Sequence, residues 1–408
     1  MWKLMGAGLG ARWGVLLGAL VWAGSALASA SDTPGNTCFV PGHGLPLRCL
    51  TVPVPRDYAH PERGQINLQV TLAPAFRENA KPDPVFVLAG GPGQAGSDVV
   101  MLLESAFIKV RATRDIVLID QRGTGGSGKL TCLKTERSET VDRELARKEM
   151  AECLQSLKVD FNDYSTEASA RDLDRVRQAL KLSKINLWGA SYGTRLAQAH
   201  VRMFPDTVRS MVLDGVVAPQ QNVALLNTEA ERAMQMLRQH CEQDAACRQA
   251  FPQFSNQLDS LLKRADSGGE VLQFQHPLTG KTIKKTLELD DVVNPVHNLL
   301  YSPRMAVQLP WLIMQAAQGN WQPWAAQMYA GSSSSGPAFG LYLAVVCAED
   351  WPWLSAEQIK SSSAKSFMRE TSVKRLNNAC PLLNVKARPR PVPGPVAVPT
   401  LFLSGARD

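Results

Sequence analysis

Residues 189–193 constrain this chain more than any other segment, because they read Gly-Ala-Ser-Tyr-Gly at the junction of two patterns. The apolar run 184–188 before them predicts a short buried strand, and the breaker-poor run 194–202 after them predicts a helix that ends near Pro205. A serine in so sharp a turn holds a strained backbone that aims its hydroxyl out of the sheet, and the glycines let strand and helix approach closely. We therefore predict that Ser191 is a nucleophile; a plain glycine-bracketed turn is the alternative.

A glycine-rich loop follows another apolar run. Residues 84–88 predict a strand, and residues 90–93 read Gly-Gly-Pro-Gly. Such a loop can place a backbone N–H beside a tetrahedral intermediate, and the second N–H comes from the residue after the nucleophile, Tyr192. The loop has neither the lysine and hydroxyl residue that end a phosphate-binding loop nor the spacing of a dinucleotide fingerprint. An oxyanion site is therefore the leading interpretation, and a tight turn is the alternative.

Further segments predict strands, at 66–72, 114–119, 208–213 and 400–403. Because short strands alternate with helical stretches, the sequence predicts a mostly parallel sheet, in which ligands bind at the carboxyl ends of the strands. Two carboxylates, Asp214 and Asp408, follow such ends. In the glycine-rich loop after residue 119, we expect Asp120 and Arg122 to tie the bend by a charged hydrogen bond, which is a structural role.

The ordered segments resemble a known family. They are Gly-Gly-Pro-Gly at 90–93, Asp-Gln-Arg-Gly-Thr-Gly-Gly-Ser at 120–127, Tyr-Ser-Thr at 164–166 with Asp-Leu at 172–173, Gly-Ala-Ser-Tyr-Gly-Thr at 189–194, Val-Leu-Asp-Gly-Val at 212–216 and Pro-Thr-Leu-Phe-Leu-Ser-Gly-Ala-Arg-Asp at 399–408. This set is similar to the α/β-hydrolase fold and, more narrowly, to the proline iminopeptidase and tripeptidyl aminopeptidase family of serine peptidases. The resemblance implies a mostly parallel sheet flanked by helices, with a mainly helical cap inserted over the active site.

The resemblance also implies roles for individual residues. Ser191 is the nucleophile, and Gly91 and Tyr192 are the oxyanion donors. Asp408 is the acid of the catalytic triad. Asp214 is the alternative acid, because some hydrolases of this fold place the acid after that strand.

The triad order on this fold is serine, acid, histidine, so with Asp408 as the acid the base is expected beyond residue 408. We therefore interpret the sequence as a fragment that lacks the last strand and helix and is itself nearly inactive. A natural pseudoenzyme and an unusual base are the alternatives. The upstream histidines are expected to be structural or solvated: His43, His60, His200, His240, His276 and His297.

The N-terminus predicts export. Lys3 and Arg12 precede the apolar run 13–23, and small residues follow, which is typical of a signal peptide cleaved after Ala28; a retained anchor is the alternative. Eight cysteines after this leader favour disulfides in a periplasmic or secreted protein. Nearest-neighbour pairing, one of several connectivities, gives Cys38–Cys49, Cys132–Cys153, Cys241–Cys247 and Cys347–Cys380.

Charge and cysteine spacing exclude several kinds of partner. The formal net charge is +7, but the basic residues are scattered and form no dense run, which argues against nucleic-acid binding. The cysteine and histidine spacings disfavour zinc, and we expect neither metal nor cofactor. No stretch after the leader is long and apolar enough to predict a membrane span, so no membrane association is expected after cleavage.

The expected organisation is a signal peptide at 1–28, a hydrolase core at 29–220, a mainly helical cap at 221–385 and a return to the core at 386–408. The cap is rich in tryptophan. These side chains are expected to pack the cap or to line an apolar pocket: Trp311, Trp321, Trp324, Trp351 and Trp353.

Acidic cap residues hold the free ammonium group of the substrate in related aminopeptidases. The resemblance points to Glu349, with Asp350 second, and a solvated or capping acid is the alternative. We therefore predict an exported serine exopeptidase that cleaves peptides from a free N-terminus through an acyl-enzyme. An esterase on the same scaffold and a non-catalytic exported binding protein are the alternative functions.

Overall fold

The computed structural model describes residues 34–131, 143–329, 336–392 and 394–405. The predicted signal peptide, residues 1–28, and the predicted acid Asp408 lie outside these ranges. Within the described ranges, no helix is both long and apolar enough to cross a bilayer.

An eight-stranded sheet organises the fold. The strands are β1 (Asn36–Cys38), β2 (Leu47–Pro55), β3 (Gln65–Ala73), β4 (Val85–Leu88), β5 (Ile116–Ile119), β6 (Ile185–Ala190), β7 (Val208–Asp214) and, after a separate hairpin of β8 (Val271–Gln275) and β9 (Thr282–Thr286), β10 (Thr400–Leu403). Their order across the sheet is β1-β2-β3-β5-β4-β6-β7-β10. The pairings from β1 to β5 are antiparallel, and those among β5, β4, β6, β7 and β10 are parallel. The prediction of a mostly parallel sheet is confirmed, and each run predicted as a strand forms one.

Helices make up most of the remaining regular structure. They are α1 (Ile108–Arg111), α2 (Arg143–Ser156), α3 (Thr166–Ala179), α4 (Tyr192–Met203), α5 (Asn227–Gln243), α6 (Ala245–Ala250), α7 (Phe254–Ser267), α8 (Leu289–Leu300), α9 (Pro303–Ala306), α10 (Leu309–Ala317), α11 (Gln322–Tyr329), α12 (Phe339–Glu349), α13 (Ala356–Ser363) and α14 (Thr371–Ala379). Short 3₁₀ helices lie at Pro61–Arg63, Ser97–Glu104, Phe161–Asp163, Pro205–Thr207, Trp351–Trp353 and Cys380–Leu382. The predicted helix after Ser191 is α4, which ends before Pro205, where the missing N–H and the ring disfavour further helix.

The central strands are apolar on both faces because helices cover both faces. On one face, Phe86 and Leu88 of β4 and Val117 of β5 pack into a core with Leu173 of α3 and Leu196 of α4. The residues that alternate with them along the strands point to the opposite face, where Val87, Ile116 and Leu118 pack with the 3₁₀ helix Ser97–Glu104. The period of two along each strand thus divides the apolar residues between two cores.

The chain between β7 and β10 is mainly helical, and it also contains the antiparallel β8–β9 hairpin, which the sequence analysis did not anticipate. This part has an apolar core of its own, which includes the buried side chains of Trp321 and Trp324. Trp311 and Trp353 are 44% and 38% exposed. The domain boundaries given above stay predictions.

One predicted contact is wrong. Arg122 does not pair with Asp120; its guanidinium forms a bidentate ion pair with Asp172 on α3, at 2.7 Å from Nε and 2.6 Å from Nη2. Asp120 instead accepts backbone hydrogen bonds from Ser97 and Gly126, each at 2.8 Å. Asp120 and Arg122 are close in sequence but bind different partners, because their side chains point to different neighbours on the glycine-rich bend.

Three of the predicted disulfides are confirmed: Cys38–Cys49, Cys241–Cys247 and Cys347–Cys380. The fourth predicted pair joins Cys153 to Cys132, and Cys132 lies outside the described residues.

Candidate active site

Ser191 stands in a sharp turn between β6 and α4. Its backbone has φ 54° and ψ −123°, a conformation that costs a non-glycine residue energy, and its side chain is exposed. The flanking glycines are required by space: a Cβ on Gly193 would lie 2.0 Å from Leu88 O, and one on Gly189 would lie 2.4 Å from Gly193 O. The Ser191 N–H donates to Asp214 O at 2.9 Å, which ties the turn to β7. This is the geometry that a serine nucleophile on this type of sheet needs.

The glycine loop after β4 lies directly against the serine. A Cβ on Gly90 would lie 3.0 Å from Ser191 Cβ and 3.5 Å from Ser191 Oγ. Gly91 follows with φ +108°, in the left-handed region that favours glycine, and is exposed. The predicted oxyanion donors, Gly91 and Tyr192, therefore belong to segments that both border Ser191. Their role stays a prediction.

Gln94 closes this loop, a role that the sequence analysis did not foresee. Its backbone N–H donates to Gly90 O at 3.2 Å, and its side-chain Oε1 accepts from the Gly90 N–H at 3.4 Å. The glycine loop also binds the residue before α12: the Ala338 N–H donates to Gly93 O at 2.8 Å. The N-terminal end of α12 is thus attached to the loop that borders the serine.

The C-terminal end of α12 carries Glu349, whose carboxylate binds the first residue of α3. Thr166 donates to it twice, from its backbone N–H to Oε1 at 2.7 Å and from its hydroxyl to Oε2 at 2.6 Å. The Thr166 hydroxyl also lies 2.8 Å from the hydroxyl of Tyr192, the residue after Ser191. Burial raises the pKa of the Glu349 carboxyl, and the hydrogen bonds from Thr166 act in the opposite direction. Burial likewise raises the pKa of the Tyr192 phenol, so that this hydroxyl keeps its proton.

Asp350, the next residue, has a different environment. Its buried carboxylate pairs with the guanidinium of Arg195 on α4, at 2.9 Å from Nη1 and 3.2 Å from Nη2, and accepts from the Val223 N–H at 3.2 Å. A carboxylate that a guanidinium and a backbone donor already satisfy is poorly placed to take up a further cation. Of the two predicted amine-binding residues, Asp350 is thus the one already paired with a cation, and the amine-binding role itself stays a prediction.

Both candidate acids follow strands at the same edge of the sheet. Asp214 is the last residue of β7, where it lies opposite Ala190 of β6 and Leu403 of β10. Asp408 lies outside the described residues, five positions after the end of β10. The strand of Asp214 is thus the direct neighbour of the strand that ends at the serine, and the strand that precedes Asp408 is the next one beyond it. The choice between the two acids stays a prediction.

In the described part of the chain, no histidine forms a hydrogen bond with Ser191. His200 lies buried on α4 with Nδ1 2.9 Å from Ala170 O, and burial lowers its pKa. The others have surroundings of their own: His43 lies near Glu104, His60 near Glu62, His240 is exposed on α5, His276 accepts from the N–H groups of Leu278 and Thr279, and His297 packs on Tyr301. Their expected structural roles are compatible with these contacts.

The sheet order and the serine turn at a strand–helix junction define a class of protein. The family model described as the alpha/beta hydrolase fold matches residues 83–330 of this chain. The chain belongs to that family.

Similar proteins carry names of peptidases and of an esterase. A tripeptidyl aminopeptidase of Streptomyces coelicolor is 31% identical over 196 residues, which cover 43% of this chain and 36% of that protein. The serine protease Hip1 of Mycobacterium tuberculosis is 29% identical over 198 residues, 44% of this chain and 37% of that one. A carboxylesterase B of Mycobacterium tuberculosis is 32% identical over 249 residues, 50% and 47%. The matched part therefore spans between about a third and a half of the length of these relatives.

Proposed function

We propose that this protein is a serine exopeptidase that cleaves peptides from a free N-terminus. The observation that carries the proposal is the exposed Ser191 in its strained turn, in contact with the glycine loop at Gly90. The peptidase names of two relatives support the reaction class. Glu349 supports the restriction to free N-termini, because its carboxylate has acceptor positions beyond the two that Thr166 uses.

The proposed reaction proceeds through an acyl-enzyme. Ser191 Oγ attacks the carbonyl carbon of the scissile bond, and a base accepts the proton of the hydroxyl. The N–H groups of Gly91 and Tyr192 bind the oxyanion of the tetrahedral intermediate. The intermediate collapses as the base returns the proton to the leaving amine, and water then hydrolyses the ester. The base in this proposal is a histidine that follows the acid in the chain, as the triad order of the fold requires, with Asp408 as the acid and Asp214 as the alternative.

The proposal includes export to the periplasm or the extracellular space. Three disulfides in the described residues favour an oxidising compartment, as does the leader predicted at residues 1–28. The check is to express the protein in a bacterial host and to compare oxidised and reduced samples: the protein should be recovered outside the cytoplasm with these disulfides formed.

Two measurements on the protein expressed from its complete gene test the proposal. A fluorophosphonate probe should label the wild type and not Ser191→Ala. Peptide 4-nitroanilides with a free amine should be turned over at least about tenfold faster, in kcat/KM, than the same peptides with an acetylated amine, since a charge-assisted contact is lost. Equal turnover of both peptides would overturn the exopeptidase assignment, and absence of Ser191 labelling would overturn the serine mechanism.

An esterase is the second candidate, favoured by the relative named carboxylesterase B. The fold does not fix the substrate, and the same serine and oxyanion donors can hydrolyse an ester. Turnover of 4-nitrophenyl acyl esters with kcat/KM far above that of every free-amine peptide would favour the esterase.

A further inference from the structure

Helix α12 is apolar and almost entirely buried. Eight of its eleven residues are buried, and those that are not are Phe339, Tyr342 and Glu349. At about 3.6 residues per turn, these three lie within roughly 80° of one another around the helix axis. A helix buried on all other sides therefore presents one narrow face that carries two aromatic rings and a carboxylate. We call this face the α12 strip.

The α12 strip runs between the two polar parts of the candidate site. It begins next to Ala338, whose N–H donates to Gly93 O of the glycine loop at 2.8 Å. It ends at Glu349, which binds Thr166. With a rise of about 1.5 Å per residue, Phe339 and Glu349 are separated by about 15 Å along the helix. The two rings thus lie between the oxyanion loop and the carboxylate that the proposed function assigns to the substrate ammonium.

The rings of Phe339 and Tyr342 form a stacked apolar surface. Phe339 and Tyr342 stack with a ring-centroid distance of 6.2 Å and an interplanar angle of 15°, and Phe339 is 46% exposed. Tyr301, after the end of α8, acts electrostatically on the Tyr342 hydroxyl and is 71% exposed.

We propose that the α12 strip, together with Tyr301, is a side-chain subsite that binds aromatic or large aliphatic residues near the N-terminus of the peptide. This inference rests on the proposed function, because Glu349 anchors the ammonium group and thereby places the first side chains beside Tyr342 and Phe339. Stacked aromatic rings offer a large apolar contact area, and a substrate ring adds a further offset or edge contact to them. The substrate class is therefore a peptide with apolar N-terminal residues.

Kinetics on matched substrates test the subsite. Free-amine X-4-nitroanilides and X-Ala-Ala-4-nitroanilides, with Phe, Leu or Gly as X, are compared for the wild type, Phe339→Ala and Tyr342→Ala. The wild type should prefer Phe and Leu over Gly. Each variant should lose about tenfold in kcat/KM on the Phe substrates, mainly through KM, and change the Gly substrates by less than about twofold.

Phe76→Ala is the matched control. Phe76 is 56% exposed and lies just after the end of β3. The end of β3 pairs with the start of β5, so Phe76 lies where the parallel strands begin, whereas Ser191 lies where they end. It should leave both substrate classes unchanged. Tyr342→Phe and Phe339→Leu retain an apolar side chain and should keep most of the preference for Phe and Leu. Thermal unfolding of these two variants and of the two alanine variants shows whether each is folded.

The outcomes separate the subsite from the proposed function. Equal losses on Phe and Gly substrates, or no loss on either, overturn the subsite, and a persisting preference for free over acetylated amines leaves the proposed function in place. A wild type without preference for Phe over Gly also overturns it; this is the result expected if another part of the chain or a second copy covers the strip. Equal turnover of free and acetylated substrates defeats both.

Discussion

The hydroxyl of Thr166 donates a hydrogen bond to Glu349 Oε2 at 2.6 Å. A hydroxyl has one proton, so with this proton directed to Glu349 the Thr166 oxygen accepts from the hydroxyl of Tyr192, 2.8 Å away. The ionised carboxylate therefore orients the side chain of the residue whose N–H is the predicted oxyanion donor. Residues of three helices, α3, α4 and α12, are joined by this chain of hydrogen bonds.

The ionisation of Glu349 should appear in the pH dependence of amine recognition. Burial raises its pKa above the ordinary value of 4.5, so the carboxylate is lost as the pH falls through that raised value. The kcat/KM ratio of free-amine to acetylated peptide should therefore fall on acidification, with a midpoint above pH 4.5. The substrate amine stays protonated below about pH 7, so it does not contribute to this limb.

Glu349→Gln is the matched variant. It should lower kcat/KM for free-amine peptides by about 10- to 100-fold, leave acetylated peptides nearly unchanged and abolish the pH dependence of the ratio. The sign for stability is opposite: a raised folded pKa favours the protonated form, so wild-type stability should decline as pH rises from 4.5 through that pKa, and the variant should lack this decline. A ratio that follows the same pH profile in both proteins would contradict the assignment.

Gly193→Ala should disrupt the serine turn. Its Cβ would lie 2.0 Å from Leu88 O, which forces the backbone of β4 or α4 to move, at a cost of about 3 kcal/mol or more in the free energy of unfolding. Fluorophosphonate labelling of Ser191 should be lost as well. Gly44→Ala is the control, because nothing lies within 4 Å of a Cβ there and no positive φ is required. Chemical denaturation of both variants measures the difference, and similar midpoints would show that the turn tolerates a side chain.

Removal of one partner of the buried ion pair between Arg122 and Asp172 should lower the stability of the protein strongly. Their side chains are 0% and 3% exposed, so Arg122→Met leaves a buried carboxylate without its cation. We expect a loss of about 3–5 kcal/mol in urea unfolding. Arg171→Met breaks an exposed pair with Glu167, whose side chains are 41% and 57% exposed, and should cost less than about 1 kcal/mol. Comparable losses in the two variants would be inconsistent with this account.

The two disulfides between β7 and β10 should differ in their effect on stability. Cys347–Cys380 spans 33 positions and Cys241–Cys247 spans 6, so the loop-closure entropy that each removes from the unfolded chain differs. Replacing both cysteines of a pair by serine should cost about 4 kcal/mol for the longer loop and about 2 kcal/mol for the shorter one. Urea unfolding of the two double variants measures both values. The reverse order would show that native-state contacts outweigh the entropy of the loop.

Several elements could be predicted from sequence because their signals are local. The strands ending at Leu88, Ile119 and Ala190 were evident as short apolar runs, and three disulfides joined nearest neighbours in sequence. The sequence pattern does not predict the β8–β9 hairpin, since its strands are short and rich in lysine and glutamine, without a marked apolar run. The role of Gln94 gave no signal either, because a loop-closing side chain has no periodicity.

Hydrogen-bond and ion-pair partners that are distant in sequence could not be predicted from sequence patterns. The sequence predicts a pair of Arg122 with Asp120, two positions away, whereas Arg122 pairs with Asp172, 50 positions away. No pattern in the sequence predicts a role for Thr166, which binds Glu349 across 183 positions. Such contacts depend on which faces the packed elements present to each other, and a single sequence holds no record of that arrangement.

The sequence by itself determined the turn at Ser191 in part, because the demand for Gly189 is local: a Cβ there would lie 2.4 Å from Gly193 O. The demand for Gly193 comes instead from the packing of the turn against Leu88 O of β4. Only the tertiary structure decided which partners the adjacent carboxylates Glu349 and Asp350 have. Neighbours on a helix point about 100° apart, so Asp350 faces Arg195 in the interior while Glu349 faces the start of α3. Which of two like charges obtains a cation is set by the packing around the helix end.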